Sequence, residues 1–460
     1  MKSSFVLYSS TAALLSQPLV YLPQQVAALA PHPEASKRKP DKKAHGKLKG
    51  GHPIELQDRI KGAYYGALVA DAFALHSHYE YDAKVIKEAH GGALIDKFYG
   101  PGELMGGTTH GVGWGRRNYH PGQRAGDQTD YGLYNVVALE YLQQNHHAEK
   151  IKNPKYNASD ELIHPKHNTT HIFKHLNQPI DPTSLVILWK KKIEDINWGA
   201  WKCTQSRTTL EQVKRGQRFP DIGGNSNAMA VRSAGIFGAY DDEDIAAQAS
   251  RVLSFTHRSH EALVGAEFFT RVAHKVIFLS MTPKSAIKAT CAWFEHKRDK
   301  FVMEQCEKGM NKFKEVRRRH SRLAKEEFAD DLAMTSMARL WEVGKTEPIK
   351  VGKASPTEGT MPASIYMILK YEDDYEDAVK NNAMVGGDSA SRAIAIGMVL
   401  GAYHGESSFE PEWLEELNMF KRSESWLQRL PLLSETPEPM PLNNEHYEIR
   451  GPTDIKRQEL

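Results

Sequence analysis

Small residues spaced along helices limit what this chain can fold into. From Ser389 to Gly405 the sequence SASRAIAIGMVLGAYHG carries Ala393, Ala395, Gly397, Gly401 and Ala402. Glycine inside a helix costs up to about 1 kcal/mol relative to alanine. Several in one helix therefore imply that another backbone packs very close. A second stripe lies in DRIKGAYYGALVADAF, where Gly62, Gly66 and Ala70 fall four residues apart on one helical face. No stretch sustains the alternation of a half-buried strand. The predicted fold is all-α, a compact multi-helix domain packed through Gly/Ala stripes.

Oxygen-bearing side chains gather where these helices begin. Gly386-Gly387 breaks the backbone ahead of Asp388, Ser389 and Ser391, which serve either as a helix cap or as site ligands. Asp71 sits within an apolar helix, where a carboxylate needs a partner or a metal. Asp127 and Thr129 open a helix with Leu133, Val136, Val137, Tyr141 and Leu142 at helical spacing, at the end of a glycine-rich loop over 91–126. Long loops of that kind are usually functional. Gly223-Gly224-Asn225-Ser226-Asn227 reads as a glycine-rich helix entry whose N–H groups can meet a phosphate or sugar. His257, at the junction of two predicted helices, either caps one of them or contacts a ligand. A long, solvated amphipathic helix is predicted over 295–331.

Residues 1–30 read as a signal or targeting segment and 31–51 as a basic linker. The helical domain is placed at 52–430, with a His-rich insertion at 143–182 that includes His164, His167 and His171, and 431–460 forms a Pro-rich tail. The apolar run Phe5–Leu15, the acceptor sequences at Asn157 and Asn168 and the terminal Arg-Gln-Glu-Leu together point to the endoplasmic reticulum lumen of the secretory pathway. A plastid presequence is the competing reading. No membrane span is expected. The net charge of +3, from 60 basic and 57 acidic residues, gives no basis for nucleic-acid binding. Cys203, Cys291 and Cys306 form no metal-type pair and no disulfide framework, so they read as buried thiols.

Five ordered motifs resemble the ADP-ribosylglycohydrolase family, which includes the dinitrogenase-reductase-activating glycohydrolases and J-type crystallins. They are DRIKGAYYGALVADAFA, GDQTDYGLYNVVALEYL, GGNSNAMAVRSAGIFG, SFTHRSHEALVGAEFFTRVAHKVI and GGDSASRAIAIGMVLGAYHG, spanning about residues 54–405. The resemblance implies hydrolysis of a glycosidic bond to ADP-ribose, aided by magnesium held on hard oxygen ligands. The family's TDDT segment is set on Gly126-Asp127-Gln128-Thr129, and its last metal motif on Asp388, Ala390 and Ser391. This makes Asp127, Thr129, Asp388 and Ser391 the implied metal ligands. Gln128 and Ala390 replace two carboxylates, so one weakly held Mg²⁺, or none, is expected where the family has two. The family's N-terminal glutamate falls on His78, with Glu80 two residues on. His78, Glu80 and Asp127 are the implied catalytic residues; Gly224, Asn225, Ser226, Asn227 and His257 the implied substrate contacts. The implied partner is a small-molecule or ADP-ribosylated substrate, bound by a monomer. The alternative is a non-catalytic nucleotide-sugar-binding or structural relative.

Overall fold

The computed structural model describes residues 54–81, 83–108, 117–152, 180–318 and 355–434. The targeting segment, the basic linker, the two glycosylation acceptors, His164, His167, His171 and the tail beyond residue 434 lie outside the described residues. Among those described there are fourteen α-helices and no strand. In chain order they are α1 Leu56–Ala74, α2 Ala83–Ala89, α3 Asp130–Lys152, α4 Pro182–Ile193, α5 Thr204–Lys214, α6 Glu243–Leu253 and α7 His260–Phe278. There follow α8 Pro283–His296, α9 Lys300–Arg318, α10 Thr357–Lys370, α11 Tyr375–Val385, α12 Ser389–His404, α13 Pro411–Glu416 and α14 Phe420–Leu427. The all-α expectation holds.

Local chemistry starts most of these helices. Asp181 accepts from the Thr183 and Ser184 amides ahead of Pro182 in α4. Asp242, Ser259, Thr282 and Asp374 cap α6, α7, α8 and α11 in the same way. Each such cap satisfies amides that the helix itself leaves unpaired, worth about 1 kcal/mol.

Among the described residues the largest helix–helix interface joins α1 to α12, and it is where the two glycine stripes meet. A methyl group on Gly397 would fall on the Gly66 carbonyl and stand 2.8 Å from Cβ of Ala70. One on Gly401 would stand 2.9 Å from Cα of Gly66. The Tyr375 hydroxyl closes the contact by donating to the Gly66 carbonyl at 2.7 Å. Backbone-to-backbone packing leaves no slack along these helices, so their ends are fixed. Asp71 is near the end of α1, and Asp388 is the N-cap of α12.

Two sequence expectations are corrected here. The predicted helix over 295–331 breaks within its described part: α8 stops at His296, Arg298 turns with φ 58°, and Asp299 caps α9 through the Val302 amide at 3.1 Å. The resulting hairpin sets Cys291 against Cys306, and these two are joined in a disulfide with Cα atoms 6.2 Å apart. Only Cys203 keeps a free thiol among the cysteines. A separation of 15 residues says nothing of pairing until the turn between the helices is known. Replacing Cys291 by Ala is expected to cost about 3 kcal/mol, the loop-closure value for a ring of this size, read as a lower urea midpoint. An unchanged midpoint under oxidising conditions would show that the bond does not form.

Candidate active site

Three buried carboxylates converge from α1, α3 and α12. Asp71 accepts from the Thr129 amide and the Thr129 hydroxyl, both at 2.7 Å. With its amide nitrogen turned toward acceptors, Gln128 adds a bond to Asp71 Oδ2 at 3.2 Å. Burial still pushes the Asp71 carboxyl up to about 7 against these bonds, and the charge of Asp388 adds to the rise. The folded state thus keeps a proton that the unfolded chain releases between about pH 4 and 7, so this residue's contribution to stability falls as pH rises through that window. Asp71→Asn is expected to flatten that fall, measured by denaturant unfolding at pH 5 and pH 7.5. Equal pH slopes in variant and wild type would contradict it.

Asp388 behaves in the opposite way. Its Oδ1 accepts from His78 Nε2 and the Ser391 amide, each at 3.2 Å, and its Oδ2 from the Tyr131 hydroxyl at 2.9 Å. Burial alone would raise this carboxyl, but bonds from His78, Ser355 and Tyr131 outweigh it and hold it at about 2. Asp130, the first residue of α3, has the least support. Its Oδ1 is buried without a hydrogen-bond partner. Burial, then the charges of Asp388 and Asp71, push its carboxyl well above the usual range. Two neighbouring acids whose environments drive them apart in this way divide naturally into a proton donor and an anion.

A chain of bonds fixes the histidines behind Asp388. The Trp201 amide donates to His120 Nδ1 at 3.1 Å, His120 Nε2 meets His78 Nδ1 at 2.9 Å, and His78 Nε2 reaches Asp388. An amide N–H can only donate, so His120 Nδ1 accepts. The proton of neutral His120 is then on Nε2 and that of His78 on its own Nε2. Burial pushes His120 well below its ordinary value, which keeps it neutral.

In front of these groups lies a cavity of about 460 Å³, within the usual range for small-ligand sites. Asp130 lines it beside the aromatic side chains of Tyr79, Tyr119, Tyr131, Tyr134 and Trp201. Arg117 lies over the Tyr119 ring at 5.8 Å and Arg207 over the Trp201 ring at 5.4 Å, and both line the cavity. Arg232 stacks on Tyr134 at 3.9 Å and donates to the Leu253 carbonyl and the Thr256 hydroxyl. Cys203 and His257 line the same space, with Sγ and Nε2 3.9 Å apart. Burial, then the charge of Arg232, push His257 down to about 3, and burial pushes the Cys203 thiol up. A larger hollow of about 570 Å³ between α7 and the α8–α9 turn lacks this chemistry. Its carboxylates Glu267 and Asp299 are engaged by Arg251 and His260.

The sequence-predicted residues fall in different places. Ser226 and His257 line the cavity. His78, Thr129, Asp388 and Ser391 form the buried layer behind it. Ser391 contributes its amide to Asp388 Oδ1, and its hydroxyl donates to the Asp388 carbonyl at 3.1 Å. Asp127 is turned away: its carboxylate accepts from the Arg124 amide and from Asn418 Nδ2, both at 2.8 Å, so it closes a turn. Glu80 is buried, and its carbonyl accepts from the Gly387 amide at 2.5 Å; it is not part of the cavity wall. The glycine-rich segment is corrected in form, since no helix begins at Gly223–Asn227. Gly224 pairs with the Thr256–Arg258 backbone, Asn225 is exposed, and Asn227 donates to Glu358 at the start of α10 at 2.7 Å. Asp130, His120, Cys203 and Arg232 were not singled out from sequence. Asp130 had a signal, because it follows Thr129 as an aspartate follows the first threonine of TDDT.

The sequence model of a family described as ADP-ribosylglycohydrolase matches residues 52–440. The chain belongs to the ADP-ribosylglycohydrolase family. A solved structure titled "ADP-ribosylglycohydrolase-related protein complex" is similar to it at 18% identity and a TM-score of 0.46, over 83% of this chain and 99% of that one. No curated protein matches.

Within the family motif, the cavity favours a register three residues later than the one read from sequence. Setting Thr-Asp on Thr129-Asp130 puts a carboxylate in the cavity, with Tyr131 at the second aspartate and Gly132 at the last threonine. A side chain at Gly132 has no room: its Cβ would stand 2.9 Å from Cβ of Gln128 and would fall on the Asp71 carboxylate. ADP-ribosylglycohydrolases typically hold a divalent cation. Here His78, His120 and Asp130 bring one donor atom each within 4.8 Å of one another. Two nitrogens and one oxygen do not suit Mg²⁺, which takes oxygen ligands in octahedral array. The Asp388 oxygens that would suit it already accept from His78, Ser391 and Tyr131. The residues present therefore do not fit magnesium.

Proposed function

We propose that the cavity binds an ADP-ribosyl group, or a related nucleotide-ribose, and hydrolyses the glycosidic bond at its ribose. The observation that carries this reading is Asp130: a buried carboxyl with an unpartnered oxygen, in an aromatic-walled cavity that arginines also line. Held protonated by its surroundings, Asp130 acts as general acid toward the departing atom. Aromatic walls suit the adenine and the sugar, and Arg117 and Arg207 suit the pyrophosphate through charge-assisted bonds. His257, kept neutral, serves as a hydrogen-bond partner and not as a charge. Family membership supports the reaction class. The Cys291–Cys306 disulfide supports the secretory lumen as its setting, since such bonds persist in oxidising compartments.

A second reading is a binding protein without turnover. It is favoured by Tyr131 and Ala390 standing where the family has carboxylates. One experiment separates the two: incubate the full chain with an ADP-ribosylated peptide and follow free ADP-ribose. Catalytic release supports the hydrolase. Tight binding of ADP-ribose without release supports the binder. Neither binding nor release would remove both.

A further inference from the structure

We propose that this site works without a divalent cation, its metal positions taken over by the hydrogen-bonded chain that runs from the Trp201 amide through His120 and His78 to Asp388. The proposal rests on the reading of this cavity as the reacting site, but its main test needs no substrate.

The chain is directional, and the lone pair of each imidazole in it is in use. The Trp201 amide occupies the lone pair of His120 Nδ1 at 3.1 Å. His120 Nε2–H occupies that of His78 Nδ1 at 2.9 Å, and His78 Nε2–H ends on Asp388 Oδ1 at 3.2 Å. A metal bound through His120 Nε2 would shift that ring's proton to Nδ1. Two N–H groups would then point at each other along the contact with Trp201. A metal bound through His78 Nδ1 would displace His120. Asp130 would remain as the one uncommitted ligand, too few for a structural or catalytic metal site.

The substitutions next to this chain act in the same direction. Tyr131, at the second TDDT aspartate, donates to Asp388 Oδ2 at 2.9 Å and so supplies a hydrogen where the family supplies an anion. Ala390 is fully buried and offers no ligand. The charge of Asp388 is thus compensated by donors of the chain itself: an imidazole N–H, a phenol and the Ser391 amide. Stacking holds the relay in place, with the His78 ring 3.9 Å from that of Tyr79.

The test uses the wild-type full chain, so it does not depend on a variant folding. Long-range ¹⁵N spectra of histidine-labelled protein report the tautomers directly. His78 and His120 are expected as neutral Nε2–H forms, unchanged by Mg²⁺, Mn²⁺ or Zn²⁺. Elemental analysis of the purified protein is expected to find less than about a tenth of a metal ion per chain, and about 5 mM Mg²⁺ is expected to move the melting temperature by less than about 1 °C. A His120 Nδ1–H tautomer, one bound ion per chain, or a metal-dependent rise of several degrees would each overturn the proposal. Calorimetry with ADP-ribose in the presence of a chelator keeps the two readings apart. Failure to bind would remove the nucleotide-ribose ligand, while the tautomers and metal content would still decide the metal question.

Discussion

Asp130→Asn is expected to lower the rate of ADP-ribose release by about 10²–10⁴-fold, the usual worth of a positioned general acid, with little loss of ADP-ribose affinity. The reason is the protonation state. Burial and the charges of Asp388 and Asp71 keep the Asp130 carboxyl well above its ordinary value, which favours its protonated form. Asparagine preserves the shape and neutrality of that group but cannot give up a proton. Stability should hold or rise in the variant, because an acid that resists ionisation in the fold costs stability at neutral pH. Single-turnover assays across pH provide the check. Wild-type activity should fall as pH rises through the Asp130 titration, and that limb should be absent from the variant's residual rate. A variant within about threefold of wild type would place the acid elsewhere.

Gly397→Val should have the largest effect on the fold. Any side chain at this position meets the Gly66 carbonyl and stands 2.8 Å from Cβ of Ala70. These are backbone and helix-packed atoms, and they cannot step aside as the end of a flexible side chain can. Overpacking a tight core typically costs 1–3 kcal/mol. Here it would separate α1 from α12 along the largest interface, so a loss of more than about 3 kcal/mol is expected, a large share of the stability of an ordinary domain. The readouts are soluble yield and urea midpoint. Gly91→Asn is the control: Gly91 has φ 61° with open space around it, and asparagine tolerates that conformation. A Gly397 variant as stable as the Gly91 one would mean that the two helices do not touch through their glycines. Because Asp71 and Asp388 lie on these two helices, the destabilised variant should lose ADP-ribose binding as well.

The glycine stripes were legible because a helix interior accepts several glycines only when close packing compensates for them. The order of the motifs was legible too, and with it the family. The register inside one motif was not. Asp127 and Asp130 both sit near the start of a helix in sequence, and only the turn closed by Arg124 and Asn418 shows that Asp127 points away. His120 and Cys203 lie outside any periodic pattern. Loops of distant sequence separation, 42 residues between His78 and His120, bring them to the site. The Cys291–Cys306 pairing depended on a break at residues 297–299 that amphipathic spacing did not reveal. Ala390 was visible as a missing carboxylate. What replaced it was not, since a phenol and an imidazole reach Asp388 from two other segments of the chain.

Calorimetric titration of the full chain with ADP-ribose in the presence of a chelator tests the central claim most directly. The expected result is one-site binding whose affinity changes by less than about twofold, roughly 0.4 kcal/mol, when the chelator is replaced by Mg²⁺. No binding in either condition, or binding that appears only with Mg²⁺, would contradict it.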